Sequence, residues 1–214
     1  IHVRRHPNLN ARFSLLFFHG NGEIVSDYDK LASFFGSFNC ELLVCEFRGY
    51  GKSNGAPTLR NIIDDSSSIY NYLKKNKKIK QQVCVMGRSI GSAPALNLCV
   101  QYPEISCCVI ESGFADPIKL IERRGLRVEK ITPDENKLFN NSEKIRLVRC
   151  PILLIHGEDD FIVLLQEAKI NYLHAGSSHK VLDIIKGVGH NDIMMAKDNA
   201  YFNSMNKFFA SIFP

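Results

Sequence analysis

Six short, nearly unbroken apolar runs constrain this chain most, at residues 13–18, 42–47, 83–86, 107–110, 152–155 and 181–185. Polar–apolar alternation is weak within them, as expected of strands buried on both faces of a parallel sheet. Amphipathic stretches lie between the runs. Residues 27–38 put Tyr28, Leu31, Phe34 and Phe35 on one face by a three-and-four spacing, and 58–75 does so through Ile62, Ile69, Tyr72 and Leu73. Further helices are expected over 90–102, 161–174 and 198–213. Strands alternating with helices in this way predict an α/β fold: a doubly wound, mostly parallel sheet with helices on both faces.

The 214 residues fit a single domain around one core. One connection breaks the rhythm. Residues 112–149 contain no clear strand and turn polar, with Arg123-Arg124-Gly125 and Asn140-Asn141-Ser142. A segment of that length inside a compact domain reads as a lid over the substrate or as a plain surface excursion.

Composition excludes several classes. With 45% hydrophobic and 23% charged residues the chain is ordinary for a globular protein, and no apolar run reaches membrane-spanning length. The net charge of +5 is modest. Its one basic cluster, Lys74, Lys75, Lys77, Lys78 and Lys80, has no interleaved aromatics. That pattern suits a solvated helix end, and no nucleic-acid partner is expected. Seven cysteines is an odd number, and Cys45, Cys84, Cys107 and Cys108 sit inside apolar runs. No C-x-x-C pair or Cys/His spacing suggests a metal site, so a reducing, cytoplasmic setting is expected. The start, Ile1-His2-Val3-Arg4-Arg5, reads as cut within a strand, so membrane association is expected only through a segment upstream of it.

The chemistry is concentrated at three strand ends. Run 83–86 leads into Gly87-Arg88-Ser89-Ile90-Gly91 and then an Ala-rich helix. This is G-x-S-x-G in a strand–turn–helix context, where the glycines admit a sharp turn that side chains would obstruct. Ser89 would stand at a helix N-terminus, whose dipole and unpaired N–H groups favour a negative oxygen. A nucleophilic serine needs a base, and the base needs an orienting carboxylate. Run 152–155 ends in His156-Gly157-Glu158-Asp159-Asp160, and run 181–185 in Gly187-Val188-Gly189-His190-Asn191-Asp192. His190 is the expected base. Asp160 is the chosen acid, with Asp159 as a turn or cap residue and Asp192 and Glu158 as rivals. The oxyanion would be met by the backbone N–H of Ile90 and by one from the loop His19-Gly20-Asn21-Gly22, with Asn21 as the expected donor.

Taken with Arg48-Gly49-Tyr50-Gly51-Lys52-Ser53, these pieces resemble the α/β-hydrolase superfamily over nearly the whole chain. They are most similar to a small, lightly lidded branch that includes protein depalmitoylases. The resemblance implies Ser89, Asp160 and His190 as a triad, Asn21 and Ile90 as oxyanion donors, and no cofactor. It departs at the N-terminus, where strands of the usual eight-stranded sheet are expected to be missing. The cysteine-rich anchoring segment of the branch's depalmitoylases is not seen either, so that activity is not carried over.

The expected reaction is cleavage of a carboxylic ester or acyl thioester, on a small-molecule or acylated-protein substrate. An aminopeptidase would use the same triad but needs an acidic anchor for a free amine, for which Glu111 or a lid carboxylate is a candidate. A binding protein on a silent hydrolase scaffold is the remaining alternative, and a membrane-surface adaptor rests only on the basic run.

Overall fold

The computed structural model describes residues 1–213 apart from 124, 126 and 129, so Arg124 of the polar connection lies outside the described residues. Each apolar run becomes a strand: β2 (Phe13–Phe18), β3 (Cys40–Cys45), β4 (Val83–Arg88), β5 (Cys107–Glu111), β6 (Ile152–Gly157) and β7 (Lys180–Ile185). Residues read as a cut strand form β1 (Val3–His6), which pairs antiparallel with β3 at the sheet edge. The described sheet has seven strands in the order β1-β3-β2-β4-β5-β6-β7, with β2 to β7 parallel. This is the doubly wound, mostly parallel α/β arrangement expected of the chain.

Strand residues divide by pleat between two cores. Phe13, Leu15 and Phe17 face one layer, while Leu16 and Phe18 face the other. The first layer holds α1 (Ala32–Gly36) and α8 (Ala200–Ile212). There the Phe13 ring stacks on Phe213 at 4.2 Å between centroids and lies 5.0 Å from Phe209. The second holds α2 (Leu59–Lys75) and α3 (Ser92–Gln101). Burying a side chain such as Leu15 or Leu16 contributes about 1.5–3 kcal/mol. Local chemistry sets where α2 begins: the Thr58 hydroxyl accepts the Asn61 N–H, and Lys74 and Lys75 sit in its last turn.

Three elements differ from expectation. The helix expected over 27–38 splits, because the Asp27 carboxylate takes the Ile24 N–H and closes a short 3-10 turn at Val25–Tyr28. The helix expected from 161 begins only at Leu165, as α7 (Leu165–His174), because Asp160 holds the backbone of Ile162 and Val163 in a turn. The connection 112–149 contains α4 (Pro117–Arg123), α5 (Pro133–Phe139) and α6 (Asn141–Lys144). Its last part is core: Ile145 and Val148 are fully buried, and Asn141 bonds to Ser92 Oγ and the Phe114 carbonyl. No helix among the described residues is long and apolar enough to cross a membrane.

Because β2 and β4 to β7 run parallel, their C-terminal ends share one side of the sheet, and the loops that follow converge there.

Candidate active site

β4 hands the chain to Ser89 at φ 53°, a left-handed conformation that a serine adopts at a cost of about 1–3 kcal/mol. A 3-10 turn over Ser89–Gly91 then leads into α3. The flanking glycines make this possible. A Cβ on Gly91 would lie 2.0 Å from the Phe18 carbonyl oxygen, and one on Gly87 would lie 2.2 Å from the carbonyl oxygen of Gly91. The elbow therefore packs directly against the end of β2, and Ser89 is left half-buried.

His190 and Asp160 meet from the loops after β7 and β6. His190 Nδ1 and Asp160 Oδ2 are 2.7 Å apart, and both residues are buried. The other carboxylate oxygen accepts the N–H groups of Ile162 at 2.9 Å and Val163 at 2.8 Å. Burial alone would raise the Asp160 pKa. The hydrogen bonds from His190 and Val163, with the two nearby imidazoles, outweigh it and hold the carboxyl below its ordinary value. The adjacent Asp159 is exposed. Asp192 is turned to its own loop, where it accepts the Gly189 N–H at 2.7 Å.

A second histidine lies beneath the carboxylate. His156, on β6, is buried with Nε2 2.8 Å from the Val163 carbonyl and 3.4 Å from Asp160 Oδ2. Burial pushes its pKa down, against the raising effects of the Val163 carbonyl and Asp160. The carbonyl contact makes Nε2 the protonated nitrogen, so His156 braces the turn that clamps Asp160.

The loop after β2 is fixed by its neighbours. His19 is buried, with Nε2 2.8 Å from Glu46 and Nδ1 2.9 Å from the Gly20 carbonyl. Glu23 accepts the Gly20 N–H at 2.7 Å. The Tyr50 hydroxyl, from the Arg48–Ser53 motif, donates to the Asn21 side chain. Asn21, Ser89, Ile90 and His190 all line one cavity of about 460 Å³. Its far wall is apolar, made by Leu59, Phe114, Pro117, Leu120, Ile121 and Ile162. Helix α4 contributes three of these, so among the described residues it is the first part of the 112–149 connection that reaches the cavity.

Glu111 does not stand open to a substrate amine. It is fully buried, with one oxygen 2.9 Å from Arg88 Nε and the other accepting from the Tyr201 hydroxyl at 2.7 Å. Sequence reasoning passed over Arg88 itself, the residue before Ser89, which is buried and also bonds to Glu23, the His190 carbonyl and Asn191. Its position in the motif carries no spacing signal. Only the hydrophobic run around it could have hinted that a charge there needs partners.

Known proteins share this fold. The Est1E structure from Butyrivibrio proteoclasticus, with ferulic acid bound, has a TM-score of 0.78 over 99% of this chain and 94% of its own, at 16% identity. A monoacylglycerol lipase from Paleococcus ferrophilus has a TM-score of 0.75 over 99% of each chain, also at 16% identity. Such likenesses establish the fold. In sequence, human alpha/beta hydrolase domain-containing protein 17B is 30% identical over 201 residues, which is 89% of this chain and 64% of that protein. The chain thus spans somewhat under two thirds of the length of this relative. The model of the Hydrolase_4 family, described as serine aminopeptidase, S33, matches residues 10–128. A match over more than half the chain, with Ser89 and its elbow inside it, makes this protein a member of the Hydrolase_4 family of α/β-hydrolases.

Proposed function

We propose that the protein is a serine hydrolase that cleaves a carboxylic ester or acyl thioester through an acyl-enzyme. The observation that carries this reading is the 2.7 Å contact between Asp160 and His190 at the cavity that also holds Ser89. In this reading Ser89 Oγ adds to the acyl carbonyl carbon while His190 Nε2, the nitrogen not engaged by Asp160, takes the hydroxyl proton. Asp160 keeps the imidazole in that tautomer and stabilises its charge. The developing oxyanion is met by the N–H groups of Asn21 and Ile90, each contributing about 2.7–4 kcal/mol to the transition state. Collapse expels the alcohol or thiol, which carries away the proton from His190. Water then attacks the acyl-enzyme with His190 again as base, and the carboxylic acid leaves. No step calls for a cofactor.

The apolar far wall supports an acyl group as the part of the substrate that is buried, and α4 is proposed as a small lid over it. The acylated partner is a small molecule or a protein, of any size that leaves the ester at Ser89. Seven free cysteines, six of them buried, support work in a reducing, cytoplasmic compartment.

The test is a comparison of p-nitrophenyl acyl esters, acyl thioesters and aminoacyl amides. Turnover of the esters or thioesters, lost in Ser89→Ala, supports the reading. Turnover of aminoacyl amides alone would replace it with the aminopeptidase.

A further inference from the structure

Arg88 joins the three segments that the proposed chemistry needs in register. Its side chain is 8% exposed, and every guanidinium nitrogen donates a hydrogen bond. Nε donates to Glu111 at the end of β5, at 2.9 Å. Nη1 donates to Glu23 in the segment after β2. Nη2 donates to the His190 carbonyl at 2.7 Å and to Asn191 Oδ1 at 3.2 Å. Glu23 in turn uses its second oxygen on the Gly20 N–H at 2.7 Å and the Tyr28 hydroxyl at 2.6 Å. The contact between the Gly20 loop and Arg88 is closed: a Cβ on Gly20 would sit 2.5 Å from Nη1.

We infer that Arg88 is a positioning residue, a rigid fork that sets the distance between the Asn21 loop and the His190 loop across the nucleophile elbow. The inference rests on the proposed serine chemistry. Its physical basis is the path of contacts from Gly20, next to Asn21, through Glu23 and Arg88 to the backbone of His190. A planar guanidinium fixes the directions of its donors, whereas an ammonium would act as a point charge with rotatable ones. The charges also require the set to act together. Buried Glu111 and half-buried Glu23 face one guanidinium, so removing Arg88 leaves the Glu111 charge buried without its cation, and removing Glu23 releases the Gly20 loop from the fork. A displacement of about 1 Å at a reacting group can cost on the order of 100-fold in rate. Arg88 borders the cavity, but each of its guanidinium nitrogens is engaged by a protein group, so its effect is expected to fall on the rate of acylation more than on how tightly substrate is held.

The experiment uses the whole chain with four variants: Arg88→Lys, Arg88→Gln, Glu23→Gln and the double variant Arg88→Gln with Glu23→Gln. The readouts are kcat and KM on a p-nitrophenyl acyl ester, the rate of labelling by a fluorophosphonate, and thermal unfolding. Arg88→Gln should lower kcat and the labelling rate by roughly 10–100-fold with KM changed less than about threefold. Arg88→Lys should recover little of that, because charge without the fork does not fix both loops. The double variant should be no worse than Arg88→Gln alone, since both substitutions break one path. If Arg88→Gln fails to fold, Glu23→Gln decides alone, with a fall in kcat of about tenfold or more expected at unchanged KM. Folded variants that label and turn over like an active wild type, or full rescue by lysine, would overturn the inference while leaving the Ser89 chemistry standing. A folded wild type that neither labels nor hydrolyses would overturn both.

Discussion

The Asp160 carboxylate divides its two oxygens between His190 and the chain that follows it. One oxygen meets the imidazole at 2.7 Å, while the other holds the N–H groups of Ile162 and Val163. The acid is therefore aimed by its own turn before it touches the histidine.

That arrangement predicts the effect of Asp160→Asn. The amide keeps the shape but favours the wrong imidazole tautomer and cannot stabilise the imidazolium. The expected loss in kcat on a p-nitrophenyl ester is roughly 10⁴-fold, with little change in fold. A loss under tenfold would mean that another carboxylate orients His190.

His156 predicts a pH dependence of stability. Its pKa is held below the ordinary 6.5, first by burial, so between its folded and unfolded values the unfolded chain binds more protons. The associated stability is therefore complete above the ordinary histidine range and is lost as pH falls through about 6.5 towards the depressed value. Thermal unfolding followed from pH 8 to pH 5 should show this decline, and His156→Gln should flatten it. Asp160 acts lower. Its carboxyl is held below 3.8, so its contribution is present above that value and fades as pH falls beneath it.

Gly91→Ala should destabilise the protein. The added methyl would meet the Phe18 carbonyl at 2.0 Å, where backbone must shift. An overpacked site of this kind typically costs about 1–3 kcal/mol. Urea unfolding of the variant measures the loss, and an unchanged midpoint would contradict the close contact between the elbow and β2.

Much of this was legible in the sequence because the signals are local. A strand, G-x-S-x-G and a helix are contiguous, and Ser89 indeed takes the left-handed backbone such a turn requires. The apolar runs became strands for the same reason: each is short, and all but the partly buried run at 181–185 are buried on both faces. The misses are non-local or depend on a competing side chain. Arg88 finds its partners 23, 65 and 102 residues away, which no spacing rule reports. The delayed start of α7 traces to Asp160 bonding backbone that would otherwise begin the helix. The 112–149 connection read as a lid or a surface excursion because stretches such as Asn140-Asn141-Ser142 are polar, yet Asn141 and the nearby Lys144 are buried beside α3.

The cavity predicts a substrate-length effect. Leu120 and Ile121 belong to the apolar wall contributed by α4. Leu120→Trp should raise KM for long-chain acyl esters by roughly tenfold and leave acetyl esters nearly unchanged, because only long chains reach that wall. Equal effects on both lengths would place the acyl group elsewhere.

Activation of Ser89 by His190 is read out by reaction with a fluorescent fluorophosphonate. The wild-type chain should label on Ser89, whereas Ser89→Ala and His190→Ala, both folded, should not. A folded wild type that stays unlabelled, or a Ser89→Ala variant that labels as well as wild type, would contradict it.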